Sequence, residues 1–180
     1  MQLEWPPLSH CQCNTAATRP RFNLCPSRHR GHTIKDDILI SPMDNADREA
    51  AADVLLTAFA DPDRYSRERL IDQLAPAPMP FYRQFFIARQ QGELVGVGGI
   101  KAADWASDTH ILYLSAVAEH ARGQGIARAL IATRIAWLME NYEHGRLLVS
   151  TARSRRFNRL GFRMAGKHDA GGRRLMLLEF

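Results

Sequence analysis

The chain has 180 residues, a formal net charge of +5 at pH 7, and hydrophobic residues at 46% of its positions. This length suits one domain of ordinary size with a terminal extension, and it argues against several domains. No apolar run is long enough for a membrane span and no secretory signal is present, so we expect a cytoplasmic protein that does not bind membranes.

Residues 1–34 differ in composition from the rest of the chain. They contain several prolines, arginines and histidines but little apolar periodicity, which predicts a disordered basic leader before a single domain over residues 35–180. All three cysteines, Cys11, Cys13 and Cys25, lie in this leader. Their spacing is not one of the paired spacings of zinc sites, so we predict no bound metal.

Apolar periodicity and turn residues predict a mixed series of strands and helices after the leader, in the order β-α-α-β-β-β-α-β-α-β-β. The helix over residues 126–141 carries its apolar stripe at steps of three and four. The stripe consists of Ile126, Leu130, Ile131, Thr133, Trp137 and Leu138. The predicted elements cover residues 37–40, 47–59, 67–74, 85–88, 94–100, 111–117, 126–141, 146–150, 153–159, 162–165 and 174–180.

The loop between the strand 111–117 and the helix 126–141 has the chemistry of a phosphate site. The first N–H groups of a helix have no partners within it, and together with the helix dipole they attract an anion. Gly123 and Gly125 have no Cβ atom that would keep a phosphate away, and Arg122 adds a cation. A pyrophosphate fits such a loop.

Other interpretations of this loop can be compared by their spacing. A P-loop requires a Lys-Ser or Lys-Thr pair, which the sequence lacks. A dinucleotide fingerprint requires a small third residue where Arg128 stands, so that interpretation is weak. On the local pattern alone, an ordinary polar turn between a core strand and a core helix stays open.

The loop and its flanking elements together resemble the acetyl-CoA motif of the GCN5-related N-acetyltransferase (GNAT) family. Arg122, Gly125 and Ala127 fill the pattern Gln/Arg-x-x-Gly-x-Gly/Ala, and a strand, a short helix and Leu160-Gly161-Phe162 follow in the order of that family. The resemblance implies an α/β fold (α+β by some schemes), with a mixed, mostly antiparallel central sheet of about six to seven strands and about four flanking helices. It also implies that the strands 111–117 and 146–150 splay apart.

The resemblance further implies an N-acetyltransferase that uses acetyl-CoA as co-substrate and acts by direct transfer in a ternary complex. The main chain of Ser115, Ala116 and Val117 is expected to hold the pantetheine arm, and the Val117 N–H to bind the thioester oxygen. The residues expected at the cofactor are Ser115, Ala116, Val117, Arg122, Gly123, Gln124, Gly125, Ile126, Ala127 and Phe157.

The sequence offers few groups for the proton transfers. Many family members carry, at the position of Phe157, a tyrosine that protonates the departing thiolate. In this chain that position offers no hydroxyl. The strand 111–117 has no carboxylate, and His110 before it is the candidate base because the intrinsic pKa of histidine is about 6.5. Water relayed to a nearby carboxylate is the alternative, through Asp104, Asp108 or Glu93.

The acceptor is expected to be the primary amine of a small molecule, entering beside the first two helices and the 75–82 loop. A protein N-terminus or lysine is a second acceptor class, and a non-catalytic acyl-CoA-binding module is a further interpretation. Residues 145–180 carry an excess of basic residues that suits coenzyme A better than a nucleic acid, because the interleaved stacking aromatics are missing except for Phe157, which its helix needs for packing; the arginines concerned are Arg153, Arg155, Arg156 and Arg159. The last strand, over 174–180, is expected to be an exposed edge through which a homodimer can form.

Overall fold

The computed structural model of the protein describes residues 37–78, 80–168 and 171–180. The predicted leader and its three cysteines lie outside these residues. Strands and helices follow the predicted order, with one added turn of 3-10 helix at Glu119–Ala121. The elements are β1 (Ile38–Pro42), α1 (Arg48–Phe59), α2 (Arg67–Leu74), β2 (Arg83–Gln90), β3 (Glu93–Ala102), β4 (Thr109–Val117), α3 (Ile126–Asn141), β5 (Arg146–Thr151), α4 (Ser154–Asn158), β6 (Arg163–His168) and β7 (Arg174–Glu179).

The strands form one seven-stranded sheet in the order β1-β2-β3-β4-β5-β7-β6. Only the β4–β5 pair is parallel, and the other neighbours are antiparallel. This arrangement confirms the predicted α/β fold with a mixed, mostly antiparallel sheet.

The position of β7 differs from the prediction of an exposed last strand, which is wrong. β7 lies between β5 and β6 and pairs with both, so the edges of the sheet are β1 and β6. The reason is that β6 pairs with the side of β7 that faces away from β5, so β6 takes the edge and β7 has partners on both sides. A dimer through an open edge of β7 therefore has no basis in this fold.

The helices cover the two faces of the sheet. α1 and α2 bury Ala51, Leu55 and Leu70 against one face, and α3 buries Ile126 and Leu138 against the other. α4 lies on the α3 side, where Phe157 joins the same core. None of the described helices is long and apolar enough to cross a bilayer.

The buried stripe of α3 is rotated from the predicted one. Its buried residues are Ile126, Leu130, Ile131, Arg134, Ile135 and Leu138. Thr133 and Trp137, which the stripe included, are only partly buried. The face that packs on the sheet thus contains an arginine that the apolar pattern left out.

A tight hairpin joins β2 to β3. Its two turn residues, Gln91 and Gly92, both have positive φ, 51° and 85°. This is the backbone expected of a two-residue turn whose twist matches that of the strands. The hairpin brings the end of β2 beside the glycine loop that precedes α3, where Gln90 bonds to Gln124.

Candidate active site

The site expected for the cofactor begins where β4 and β5 separate. The two strands pair in parallel from Thr109 to Ile111 on β4 and from Arg146 to Leu148 on β5. Beyond these residues β4 continues along β3, while β5 continues along β7. The predicted splay between the two strands is therefore present, and the facing edges of residues 112–117 and 149–151 form its walls.

The main chain of Val117 faces into the splay. Ala118 donates its N–H to Val95 O of β3 at 2.8 Å, and successive strand residues direct their N–H groups to opposite edges. The Val117 N–H consequently points away from β3 and toward β5. By the same alternation the main chain of Ala116 is paired with β3 at Val97, so it does not face the splay as predicted.

A β-bulge in β4 lies next to this amide. The register with β3 shifts by one residue, so that Leu114 and Ser115 both lie opposite Gly98. Leu114 has a positive φ of 42°, which costs a non-glycine residue conformational energy. The bulge places Tyr113 and Leu114 against the α1/α2 core, whereas Ser115 contacts α3. Bulges commonly re-aim side chains beside ligand sites in this way.

The glycine loop forms an open cradle at the start of α3. Gly123 and Gly125 have left-handed φ values of 84° and 86°. Arg128 donates its N–H to Gly125 O at 2.9 Å, so the N–H groups of Ile126 and Ala127 before it point out of the helix end. A Cβ atom at Gly123 would meet no other atom within 4 Å. The space over the loop is therefore free for an anion.

Two side chains of the loop have defined positions. Gln124 accepts a hydrogen bond from Gln90 Nε2 at 2.9 Å, which holds the loop against the end of β2. Arg122 donates from Nε to Val117 O at 3.3 Å. Its side chain is 55% exposed, and its ion pair with Glu119 is long, at 4.0 Å. A guanidinium paired this weakly is available to a phosphate.

A family of known proteins matches this part of the chain. The model of the acetyltransferase (GNAT) family matches residues 49–162, which include the splayed strands, the cradle and α3.

The chain belongs to the GNAT acetyltransferase family.

Solved structures of other GNAT acyltransferases share the fold. The ribosomal-protein-S18-alanine N-acetyltransferase of Escherichia coli is 21% identical, with a TM-score of 0.62, and the match covers 79% of this chain and 93% of that one. A GNAT family acetyltransferase from Elizabethkingia anophelis with acetyl-CoA bound is 22% identical, with a TM-score of 0.58 and coverage of 81% and 99%. The PaiA N-acetyltransferase of Thermoplasma acidophilum in complex with coenzyme A is 14% identical, with a TM-score of 0.61 and coverage of 79% and 99%. No curated protein sequence matches the chain.

Phe157 occupies a core position of this GNAT domain. Its side chain is 6% exposed, and its ring packs edge-on against Phe162 with 5.3 Å between the centroids. The ring is therefore part of the α4 packing, and it carries no hydroxyl that can act as an acid.

His110 lies at the paired end of β4 and not in the splay. The residue is 3% exposed, its Nδ1 is 2.7 Å from the Tyr82 hydroxyl, and its buried Nε2 has no hydrogen-bond partner. Burial lowers the pKa of His110. Val117 lies seven positions further along the strand, roughly 23 Å away. This placement argues against the predicted role as base, because the imidazole belongs to the core.

Arg134 is a residue of the site that the sequence did not indicate. It is 1% exposed and donates to Leu130 O, Gly99 O and Ser115 Oγ at 2.8, 2.9 and 2.8 Å. Burial lowers the pKa of its guanidinium to about 9, so it stays a cation at neutral pH. Its spacing in the sequence could have indicated that it is buried, because Arg134 follows Ile126 and Leu130 at four-residue steps on the same face of α3.

A cleft lies on the α1/α2 side of the sheet. It has a volume of about 420 Å³, and Phe85 in its wall packs against Tyr113 of β4 with ring centroids 5.3 Å apart. In the described part of the chain, no group of three or more His, Cys, Asp or Glu could hold a metal ion. The lining residues of the cleft are Met43, Asp44, Asn45, Leu74, Pro76, Arg83, Gln84 and Phe85.

Proposed function

We propose that this GNAT acetyltransferase transfers the acetyl group of acetyl-CoA directly to the primary amine of a small molecule. One observation carries the proposal: the anion cradle of α3 follows directly after the end of β4, where the Val117 N–H faces the open splay. A ligand with a pyrophosphate at one end and a thioester at the other matches this pairing of features.

In the proposed complex, the pyrophosphate of acetyl-CoA lies over Gly123 and Gly125, where it accepts from the N–H groups at the start of α3. Arg122 supplies the cation. The pantetheine arm runs back along β4 in the splay, and its amides pair with main-chain groups there, as an added strand would, while the Val117 N–H is left for the thioester oxygen. Coenzyme A thereby fills the gap that the separation of β4 and β5 leaves.

The chemical step needs few groups from the protein. The neutral amine nitrogen attacks the thioester carbon, and the Val117 N–H donates to the oxygen as its negative charge grows. The C–S electron pair leaves with sulfur as a thiolate, and the amine loses its proton to water. Because the pKa of a thiol is about 8.5, the thiolate departs without an acid, consistent with Phe157.

The cleft beside Phe85 supports a small acceptor. Its volume of about 420 Å³ falls in the range of small-molecule sites, which is roughly 300–1,000 Å³. It lies on the face to which the bulge directs Tyr113, and its wall carries one carboxylate, Asp44, and one cation, Arg83. A protein N-terminus or lysine is the second acceptor class and would reach the thioester from the same face.

A non-catalytic acyl-CoA-binding module is the second candidate function. The observation that favours it is the burial of both Phe157 and His110, which leaves no titrating side chain assigned to the proton transfers.

Two measurements on the full chain separate these functions. We expect coenzyme A to raise the midpoint of thermal unfolding, and we expect acetyl-CoA with a panel of primary amines to release free thiol together with an acetylated amine. A thermal shift without turnover of any small or peptide amine would support the binding module. The absence of a shift would contradict both functions.

A further inference from the structure

Arg134 is a buried cation of α3 that bonds to both β3 and β4. Among the described residues, no carboxylate forms an ion pair with it. Burying a charge without a counterion is unfavourable unless hydrogen bonds satisfy it. Here two main-chain carbonyls and the Ser115 hydroxyl accept from the guanidinium. The Ser115 hydroxyl is the one side-chain acceptor of the three, and Ser115 lies on the part of β4 that borders the splay.

The backbone makes room for this arginine. A Cβ atom at Gly98 would lie 2.8 Å from Cζ of Arg134, so the guanidinium occupies the volume that a side chain on β3 would fill. Gly98 is also the residue that lies opposite the bulge at Leu114 and Ser115. Gly98, the bulge of β4 and the guanidinium of Arg134 are therefore in mutual contact next to the splay.

Ser115 presents its main chain on the edge that carries the Val117 N–H, and its hydroxyl lies on the α3 face beside that edge. The two residues are two positions apart, so their main-chain groups face the same side of β4. Ser115 is exposed, and its own O–H has only a long contact with Tyr113 O, at 3.4 Å. The cradle follows the end of β4, so the acyl end of a ligand that runs back along the strand lies at Val117 and Ser115.

We propose that the Ser115 hydroxyl is a second donor to the thioester oxygen, beside the Val117 N–H, and that Arg134 is the positioning residue that holds and polarises this hydroxyl. The inference rests on the proposed acetyl transfer. When the amine nitrogen bonds to the thioester carbon, the oxygen gains negative charge. Ser115 then turns its O–H from Tyr113 O to that oxygen and keeps its proton. The C–S electron pair still leaves with sulfur, and the amine proton still goes to water.

The role of Arg134 follows from the same geometry. A hydroxyl that accepts from a cation is a stronger donor through its own hydrogen, because hydrogen bonds in a chain polarise one another. The positive charge also lies behind the oxygen on which negative charge develops. Donors fixed before the reaction in this way stabilise the transition state more than the bound substrate.

The test compares kcat and KM for acetyl-CoA in Ser115→Ala, Arg134→Leu, Arg134→Lys and the double variant S115A/R134L. We expect Ser115→Ala to lower kcat by about a hundredfold, the usual effect of losing one such donor, with KM for acetyl-CoA within twofold of wild type. The loss in S115A/R134L should not exceed that of the larger single variant, and Arg134→Lys should recover part of the rate. Ser107→Ala, an exposed serine before β4, is the matched control and should keep the wild-type kcat.

Wild-type kcat in Ser115→Ala would overturn the inference while leaving the proposed acetyl transfer intact. Independent, additive losses in the double variant would overturn the part assigned to Arg134. If the wild type releases no thiol with any amine, the proposed function fails, and this inference fails with it. Thermal unfolding and the coenzyme A shift of each variant separate a loss of rate from a loss of fold, and Ser115→Ala tests the donor even if Arg134→Leu does not fold.

Discussion

The Tyr82 hydroxyl and Nδ1 of His110 lie 2.7 Å apart in an aromatic cluster that joins β2, β4 and the end of α3. Tyr142 packs on both rings, with centroids 5.7 Å from Tyr82 and 4.5 Å from His110. The imidazole that the sequence offered as a base is thus a neutral part of the core. Its Nε2 is buried without a partner, so protonation would leave a charge inside this cluster.

This environment predicts that the protein loses stability in mild acid. Burial lowers the pKa of His110 in the folded state, so below the unfolded pKa of about 6.5 the unfolded chain binds more protons. The free energy of unfolding should therefore fall as pH decreases from about 6.5, by at most about 1.4 kcal/mol per pH unit from this group. Urea titrations between pH 5 and 8 measure it.

His110→Gln should reduce this pH dependence, whereas His120→Gln should not. His120 is 61% exposed, so it is the matched histidine at the surface. An unchanged slope in His110→Gln would contradict the assignment of the pH dependence to the buried cluster.

The cradle predicts different effects of the same substitution at two glycines. Gly123 and Gly92 have φ values of 84° and 85°, and a Cβ atom at either one meets nothing within 4 Å. Alanine at each position should cost about 1–2 kcal/mol of stability through the left-handed backbone. Only Gly123→Ala should also weaken coenzyme A binding, by tenfold or more, because its Cβ enters the space of the phosphate. Calorimetric titration measures the affinity for coenzyme A. An equal loss of affinity in Gly123→Ala and Gly92→Ala would rule out the cradle.

Arg122 is expected to contribute a charge to the pyrophosphate site. Arg122→Met should raise the Kd of coenzyme A several-fold, and the difference from wild type should shrink in 0.5 M salt because exposed charges are screened. Arg163→Met is the control, since Arg163 is 62% exposed but lies on the edge strand β6. A salt-independent effect, or the same effect at Arg163, would argue against a direct contact with phosphate.

The packing of Arg134 predicts a steric effect at Gly98. Gly98→Ala places a Cβ atom 2.8 Å from the guanidinium carbon, and overpacking of this kind costs about 1–3 kcal/mol. Gly166→Ala in β6 is the matched control, because a Cβ atom there meets nothing within 4 Å. The midpoints of urea unfolding measure the stability of both variants. The cost at Gly98 should decrease in an Arg134→Leu background, and a cost that stays the same would mean that the guanidinium is not the obstacle.

The order of elements and the position of the cradle could be predicted from the sequence because both depend on local signals. Strand and helix periodicity, and glycines before an amphipathic helix, are properties of neighbouring residues. The strand 111–117 and the helix 126–141 were predicted almost as β4 and α3 are observed.

The features that the sequence could not predict depend on contacts between distant residues. Arg134 interrupts an apolar stripe, and only Gly98 and Ser115 on other strands explain its burial. The inner position of β7 depends on β6 taking the edge, and no pattern within residues 174–180 specifies that order. His110 is a polar residue that lies in apolar surroundings. Because its residue type is typical of surfaces and active sites, the sequence did not indicate that it is buried.

The most direct test of the account is the amide signal of Val117 in protein labelled with [15N]valine. The Val117 signal is identified as the one that Val117→Ile removes, and Val54 on α1 serves as the internal control. On titration with acetyl-CoA, we expect a large shift of the Val117 amide signal that saturates with binding, while the Val54 signal stays unchanged. Saturated binding of acetyl-CoA with no shift at Val117 would contradict the placement of the thioester in the splay.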